Sequence, residues 1–170
     1  MEEIKPGKKL IEDEKKDFLS RYVKPHDKKS REVKEEDLER VIEEAHVLYN
    51  LCFTKTGRYM GGHAVVHMQI DDKDPLQLFV IGHTMEVIIN PILINHTQVP
   101  IKSIEGCLSF PDLPMINVPR WNKITVKFNR LGRDGKISEP TEENMGGKRS
   151  LIFQHEMQHL GLFGNKLYIY

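Results

Sequence analysis

The chain has 170 residues, with 25 basic and 25 acidic side chains. That balance excludes the broad positive field of a nucleic-acid or anionic-membrane binder. No apolar run exceeds four residues, LFVI at 78–81 being one, so neither a membrane-spanning helix nor a secretory leader is expected. One domain over 1–170 in the cytoplasm is the expectation.

Residues 1–33 form a charged segment of that domain. Its first 30 residues hold nine basic and seven acidic side chains with few apolar anchors, a composition that wraps a surface or frays. From Lys34 to Phe53 the apolar positions Leu38, Val41, Ile42, Ala45, Leu48 and Cys52 recur at three- and four-residue steps. This predicts an amphipathic helix with Cys52 as a small buried hydrophobe. The turn-forming TKTGRYMGG comes next, then AVVHMQI and a strand-like series: QLFVIG, MEVIIN, PILIN and NKITVKFNR. Asp134 and Gly135 mark a hairpin turn. Met145 to Gly147 breaks the strands, and KRSLIFQHEMQHL reads as a second helix closed by Gly161 or Gly164. A sheet-rich middle flanked by two helices is an α+β arrangement.

The second helix carries the chemistry. At about 100° per residue, His155 and His159 lie roughly 40° apart on one face, and Glu156 is offset by about 100°. Both imidazoles reach one ion while the glutamate addresses a water beside it, the mechanical content of H-E-x-x-H. In a chain of this composition the pattern arises by chance about 3% of the time. A satisfied pair of surface histidines would look the same. A catalytic ion usually takes three protein ligands, so a metal site here would need another from elsewhere in the chain. Separately, of the two cysteines, Cys107 lies in the polar, turn-like EGCLS and is the one open to a chemical role.

Three separated blocks, GHAVVHMQ at 62–69, EGCLS at 105–109 and QHEMQHL at 154–160, resemble the signature motifs of peptide deformylases in order and approximate spacing. Val118 to Arg120 and the pair Asn90 and Pro91 also look like that family. The resemblance implies a metal-binding helix cradled by small antiparallel or mixed β-sheets, with Cys107 joining His155 and His159 as the third ligand. It implies Fe(II) in the cell, with Zn(II), Ni(II) or Co(II) also able to occupy a softened Cys/His₂ site. The implied reaction is hydrolysis of the N-formyl group of nascent peptides that begin with formylmethionine. Glu156 would be general base and then general acid, and Gln69 and the backbone N–H of Leu108 would be donors to the developing oxyanion. Backbone around Gly62, His63 and Ala64 would pair with the peptide. Leu151 and Ile152 would wall the methionine pocket, or else be plain helix core, with His63 and Glu105 at its rim and Gly106 also counted among the substrate-binding residues.

Four departures from the family pattern stand out. Ala64 replaces the second glycine of the first block, Val66 and His67 replace small alanines, and Gln158 replaces the aspartate between the histidines. The chain also ends at Tyr170, without the long C-terminal helix that some members use at the ribosome, so ribosome contact is expected to be transient at most. His67 either packs or acts directly. Glu105 and Arg120 either form an ion pair that holds the EGCLS loop or are unrelated charges. Rival readings are a metalloprotease, which needs a third His, Asp or Glu ligand absent after His159, a module that only captures peptide N-termini, and a metal-stabilised structural domain. Gln69 and Glu156, which neither non-catalytic reading requires, favour catalysis.

Overall fold

The protein is described by a computed structural model over residues 13–14, 16–17, 29–59, 63–71, 73–110 and 114–163. Gly62 and most of the 1–33 segment lie outside the described residues. In chain order, a 3₁₀ turn (Glu35–Asp37) leads into helix α1 (Leu38–Leu51). Strand β1 (Ala64–Val66), a 3₁₀ turn (His67–Gln69), β2 (Leu78–Ile81) and β3 (Glu86–His96) follow. Then come β4 (Pro100–Glu105), β5 (Ile116–Trp121), β6 (Lys123–Arg130), β7 (Thr141–Gly146) and helix α2 (Gly147–His159). No helix among the described residues is long and apolar enough to cross a membrane.

Five strands form one antiparallel sheet in the order β1-β2-β3-β6-β7, and β4 pairs with β5 in a separate ribbon. All four residues of β2 are buried, because both faces of the sheet are covered. Phe79 and Ile81 point into a core shared with Ile152, Phe153, Met157 and Leu160 of the α2 region. Leu78 and Val80 point the other way, against Val41, Ala45, Leu48 and Cys52. A strand buried on both faces loses its apolar–polar alternation, which is why LFVI reads as an unbroken run. Cys52 is buried, as expected of a small hydrophobe.

MEVIIN and PILIN, expected as two strands, are one strand, β3, with a register shift between Ile89 and Ile92. Asn90 there has φ +50°, and Pro91 has no N–H for the ladder, so the strand bulges instead of ending. The Asn90 side chain is tied to earlier chain: Val33 N–H donates to its Oδ1 and its Nδ2 donates to the Val33 carbonyl, each at 2.8 Å. The ribbon β4–β5 was not legible, since Pro100 and Pro119 interrupt its sequence. A two-stranded ribbon has open edges that tolerate proline.

The expected strand break at Met145 to Gly147 is corrected. Thr141–Gly146 is a strand, and its mostly exposed polar side chains hide it because β7 is the edge of the sheet. The chain turns at Gly147 alone, whose φ of +56° suits glycine, and α2 begins there. Its other end closes at Gly161 (φ +77°), where Gly161 N–H donates to the Gln158 carbonyl and Leu162 N–H to that of Met157, both at 3.0 Å. This is the Schellman pattern that glycine permits.

Candidate metal centre and substrate cavity

Helix α2 is docked by an apolar face and a polar hook. Phe153 is fully buried, with its ring centroid 5.2 Å from those of Phe79 and Phe128. Beside it, Gln154 accepts from the Trp121 N–H (2.8 Å) and donates to the Trp121 carbonyl (2.8 Å), pairing with the end of β5 as a neighbouring strand would. These contacts rotate the adjacent His155, Glu156 and His159 towards the loop that follows β4.

Cys107 lies in that loop. Its Sγ is 3.2 Å from His159 Nε2, and His159 Nε2 is 3.2 Å from His155 Nε2. All three donor atoms fall within 4.8 Å of one another. Metal–nitrogen bonds of about 2.0–2.1 Å and metal–sulfur bonds of about 2.3 Å would set tetrahedral ligand edges near ~3.3 and ~3.6 Å. The two edges that meet at His159 Nε2 fall within a few tenths of an ångström of those values. Electrostatics agrees with the geometry. Burial opposes ionisation of the Cys107 thiol, but the two imidazoles outweigh it and hold the thiol well below its ordinary range. Burial likewise opposes charge on His155, but Cys107 and Glu105 raise its pKa. Three donors so arranged call for positive charge among them, and a Cys/His₂ set fits a divalent ion.

The ligands are braced from behind. His155 Nδ1 donates to Glu105 Oε2 (2.9 Å), leaving Nε2 for the cluster. Arg120 grips the same carboxylate through Nε (2.9 Å) and Nη2 (2.7 Å), so of the two readings of Glu105 and Arg120 the ion pair is the one present, and it is buried. Burial would raise the Glu105 carboxyl, but Arg120 and His155 prevail and hold it at about 2. Glu105 is buried and contributes to the cavity lining. Arg120 Nη1 also donates to Gln158 Oε1 (2.8 Å), so Gln158 supports the arginine that holds Glu105. Among the described residues, His159 Nδ1 is buried without a hydrogen-bond partner.

A cavity of about 410 Å³ opens over the cluster. Its lining includes His63, Ala64, Gln69, Glu105, Gly106, Cys107, Leu108, Leu151, Ile152, His155, Glu156 and His159, all singled out from sequence. Leu151 is half-buried and Ile152 buried, and Ile152 also belongs to the core. Ser103, Ile104, Met115 and Lys148 line the cavity as well and were missed. Burial pushes the Glu156 carboxyl above its ordinary range, against the pull of the imidazoles. Val66 N–H donates to Gln69 Oε1 (2.9 Å), which turns Nε2 towards Ser109 Oγ (2.7 Å). One Nε2 proton is used there, and the amide has a second. Ser109, too, went unnoticed, although it closes the EGCLS block. The loop's own turn bond runs from Phe110 N–H to the Cys107 carbonyl (3.0 Å) and does not use the Leu108 N–H.

The sequence profile described as Polypeptide deformylase matches residues 28–164. A peptide deformylase of Aquifex aeolicus is 41% identical over 90 residues, 53% of this chain and 44% of the relative. The chain thus aligns with less than half the length of the curated relatives it matches. Among solved structures, PDF from the Vibrio parahaemolyticus bacteriophage VP16T, in complex with actinonin, superposes with a TM-score of 0.64 at 22% identity. That match covers 82% of this chain and 96% of the other and speaks to the fold alone. A peptide deformylase from Legionella pneumophila gives a TM-score of 0.57 at 28% identity, over 78% and 73% of the two chains.

Proposed function

This chain belongs to the polypeptide deformylase family, and from that premise we propose that it is a metal-dependent hydrolase that removes the N-formyl group from formylmethionine at the start of nascent peptides, releasing formate. The observation that carries the reading is the convergence of Cys107 Sγ with the two Nε2 atoms beneath a cavity that also holds Glu156 and Gln69. Cys107, His155 and His159 would hold the ion, Fe(II) in the cell, with Zn(II), Ni(II) or Co(II) able to replace it. Bound there, such an ion supplies a Lewis acid that acidifies a water and polarises the formyl carbonyl.

The chain's own groups do the rest. Glu156 takes a proton from the attacking water and passes it to the departing amine, and its burial-raised pKa suits it to give that proton up again. Gln69, through its second Nε2 proton, and the Leu108 N–H donate to the oxygen as it becomes anionic, each worth on the order of 3 kcal/mol. Substrate adds as a strand. β1 is the edge of its sheet, and Gly82 N–H donates to the His63 carbonyl at 3.2 Å. Alternation then leaves the Ala64 N–H and carbonyl facing the open edge, where a peptide backbone of any sequence pairs with them. Gly106 lies across the cavity, and Leu151 and Ile152 receive the methionine side chain. Work on nascent chains would place the protein in the cytoplasm with transient ribosome contact.

The test is formate release from a formyl-Met peptide by protein prepared anaerobically. Glu156→Ala is expected to keep its metal and lose turnover by about 10²-fold or more, while Cys107→Ala loses both. Metal-loaded wild type that releases no formate would overturn the reading and leave a module that only captures peptide N-termini.

A further inference from the structure

We propose that His67 and Glu44 form a positioning pair that holds the Gln69 side chain in its working orientation from the far side of the 3₁₀ turn; the inference rests on the deformylase reading above. His67 stands where the resembled family has a small alanine. It is fully buried, and its carbonyl and both ring nitrogens have partners. Its carbonyl accepts from the N–H groups of Ile70 (2.9 Å) and Asp71 (3.1 Å). Leu76 N–H donates to Nδ1 (3.1 Å), so in the neutral ring the proton sits on Nε2, which faces the Glu44 carboxylate on α1.

Glu44 is itself held. Arg40, one turn earlier on α1, donates to it (3.0 Å) and reaches across to Asp71 (2.7 Å) and Asp74 (2.6 Å) in the loop that His67 begins. The loop from His67 to Leu76 is thereby fastened to α1 through His67, Asp71 and Asp74. Alanine at position 67 could make none of the ring contacts.

The consequence falls on Gln69, the last residue of the same turn. Residues two apart in a 3₁₀ turn project about 120° apart, so a ring anchored towards α1 turns position 69 away from that helix, towards the cavity that Gln69 lines. The amide is then oriented by Val66 N–H and Ser109 Oγ, contacts that depend on where the turn sits.

The test rests on Glu44, because loss of a fully buried ring at His67 risks the fold itself. Formate release is followed in metal-loaded wild type, Glu44→Ala, Glu44→Gln, Gln69→Ala and the double variant Glu44→Ala/Gln69→Ala, below each protein's melting temperature. Glu44→Ala is expected to lower kcat by about tenfold or more with KM within about twofold. Glu44→Gln, which keeps an acceptor for the ring, recovers most of that loss. In the Gln69→Ala background the Glu44→Ala substitution costs nothing further, because the group it positions is gone. The Gln69 side-chain amide resonance, identified by its absence in Gln69→Ala, should lose its distinct shift in Glu44→Ala and keep it in Glu44→Gln. Unchanged kcat in Glu44→Ala, or losses that multiply in the double variant, would overturn the pairing. Wild type without formate release would sink the functional reading instead, and the amide resonance would still decide the positioning.

Discussion

Glu105 is where three hydrogen bonds meet in one carboxylate, two from Arg120 and one from His155. An exposed pair of this kind contributes at most about 1 kcal/mol. Here both partners are buried, and removal of one strands the other. Arg120→Ala is expected to lower stability by about 3–5 kcal/mol and metal affinity by about 10- to 100-fold, since His155 loses its brace. Thermal unfolding and titration of the metal against a chelator check the two effects. A variant that melts and binds metal like wild type would mean that Arg120 does not support the centre. Lysine is a poor replacement, because Arg120 uses Nε, Nη1 and Nη2 on two different partners.

At the scale of the element, α2 serves as a lever whose buried side fixes what its open side presents. Phe153 packs between Phe79 and Phe128, whereas Leu151, two residues earlier, is half-buried in the cavity wall. Phe153→Ala should therefore cost about 3–5 kcal/mol of stability and loosen metal binding as the helix shifts. Leu151→Ala should cost less than about 2 kcal/mol and instead raise KM for a formyl-Met peptide. Denaturant unfolding and steady-state kinetics separate the two. Equal stability losses would show Leu151 to be ordinary core. The departures of the first block belong to this scale too: Val66 fills the core beneath β1, and His67 spends its ring on α1 and the following loop.

At the scale of the molecule, residues 30–40 tie the layers together. Ser30 N–H donates to the Leu160 carbonyl at the end of α2, and Arg31 N–H to that of Pro75. The Arg31 guanidinium then bridges Asp37 and Asp74. Hydrogen bonds from Arg31, with charge attraction added, hold both carboxyls at about 2 against the opposing effect of burial. A carboxylate with a depressed folded pKa contributes stability that is complete above its ordinary value near 4 and is lost as pH falls from there towards 2. Asp37→Asn should therefore lower Tm at pH 7, and the gap to wild type should narrow between about pH 4 and pH 2. A gap that stays constant over that window would show that the Asp37 charge is not what holds this strap.

Much of the centre was legible in the sequence because it is local. The four-residue step from His155 to His159 sets both rings on one face of any α-helix, and Leu38 to Cys52 carries its own apolar stripe. These depend on backbone periodicity within a few residues of chain. What lies farther apart was not so readable. Cys107 stands 48 residues before His155, and only its resemblance to a known motif drew it to the metal. Glu44 and His67 lie 23 apart in sequence, Gln69 and Ser109 lie 40 apart, and no pattern joined them. Strand register and the docking of α2 bring such groups together, and those arise from packing summed over the whole core. The sequence by itself therefore determined which residues could bind an ion and share a helix face, while the tertiary structure alone decided which distant side chains brace, orient and enclose them.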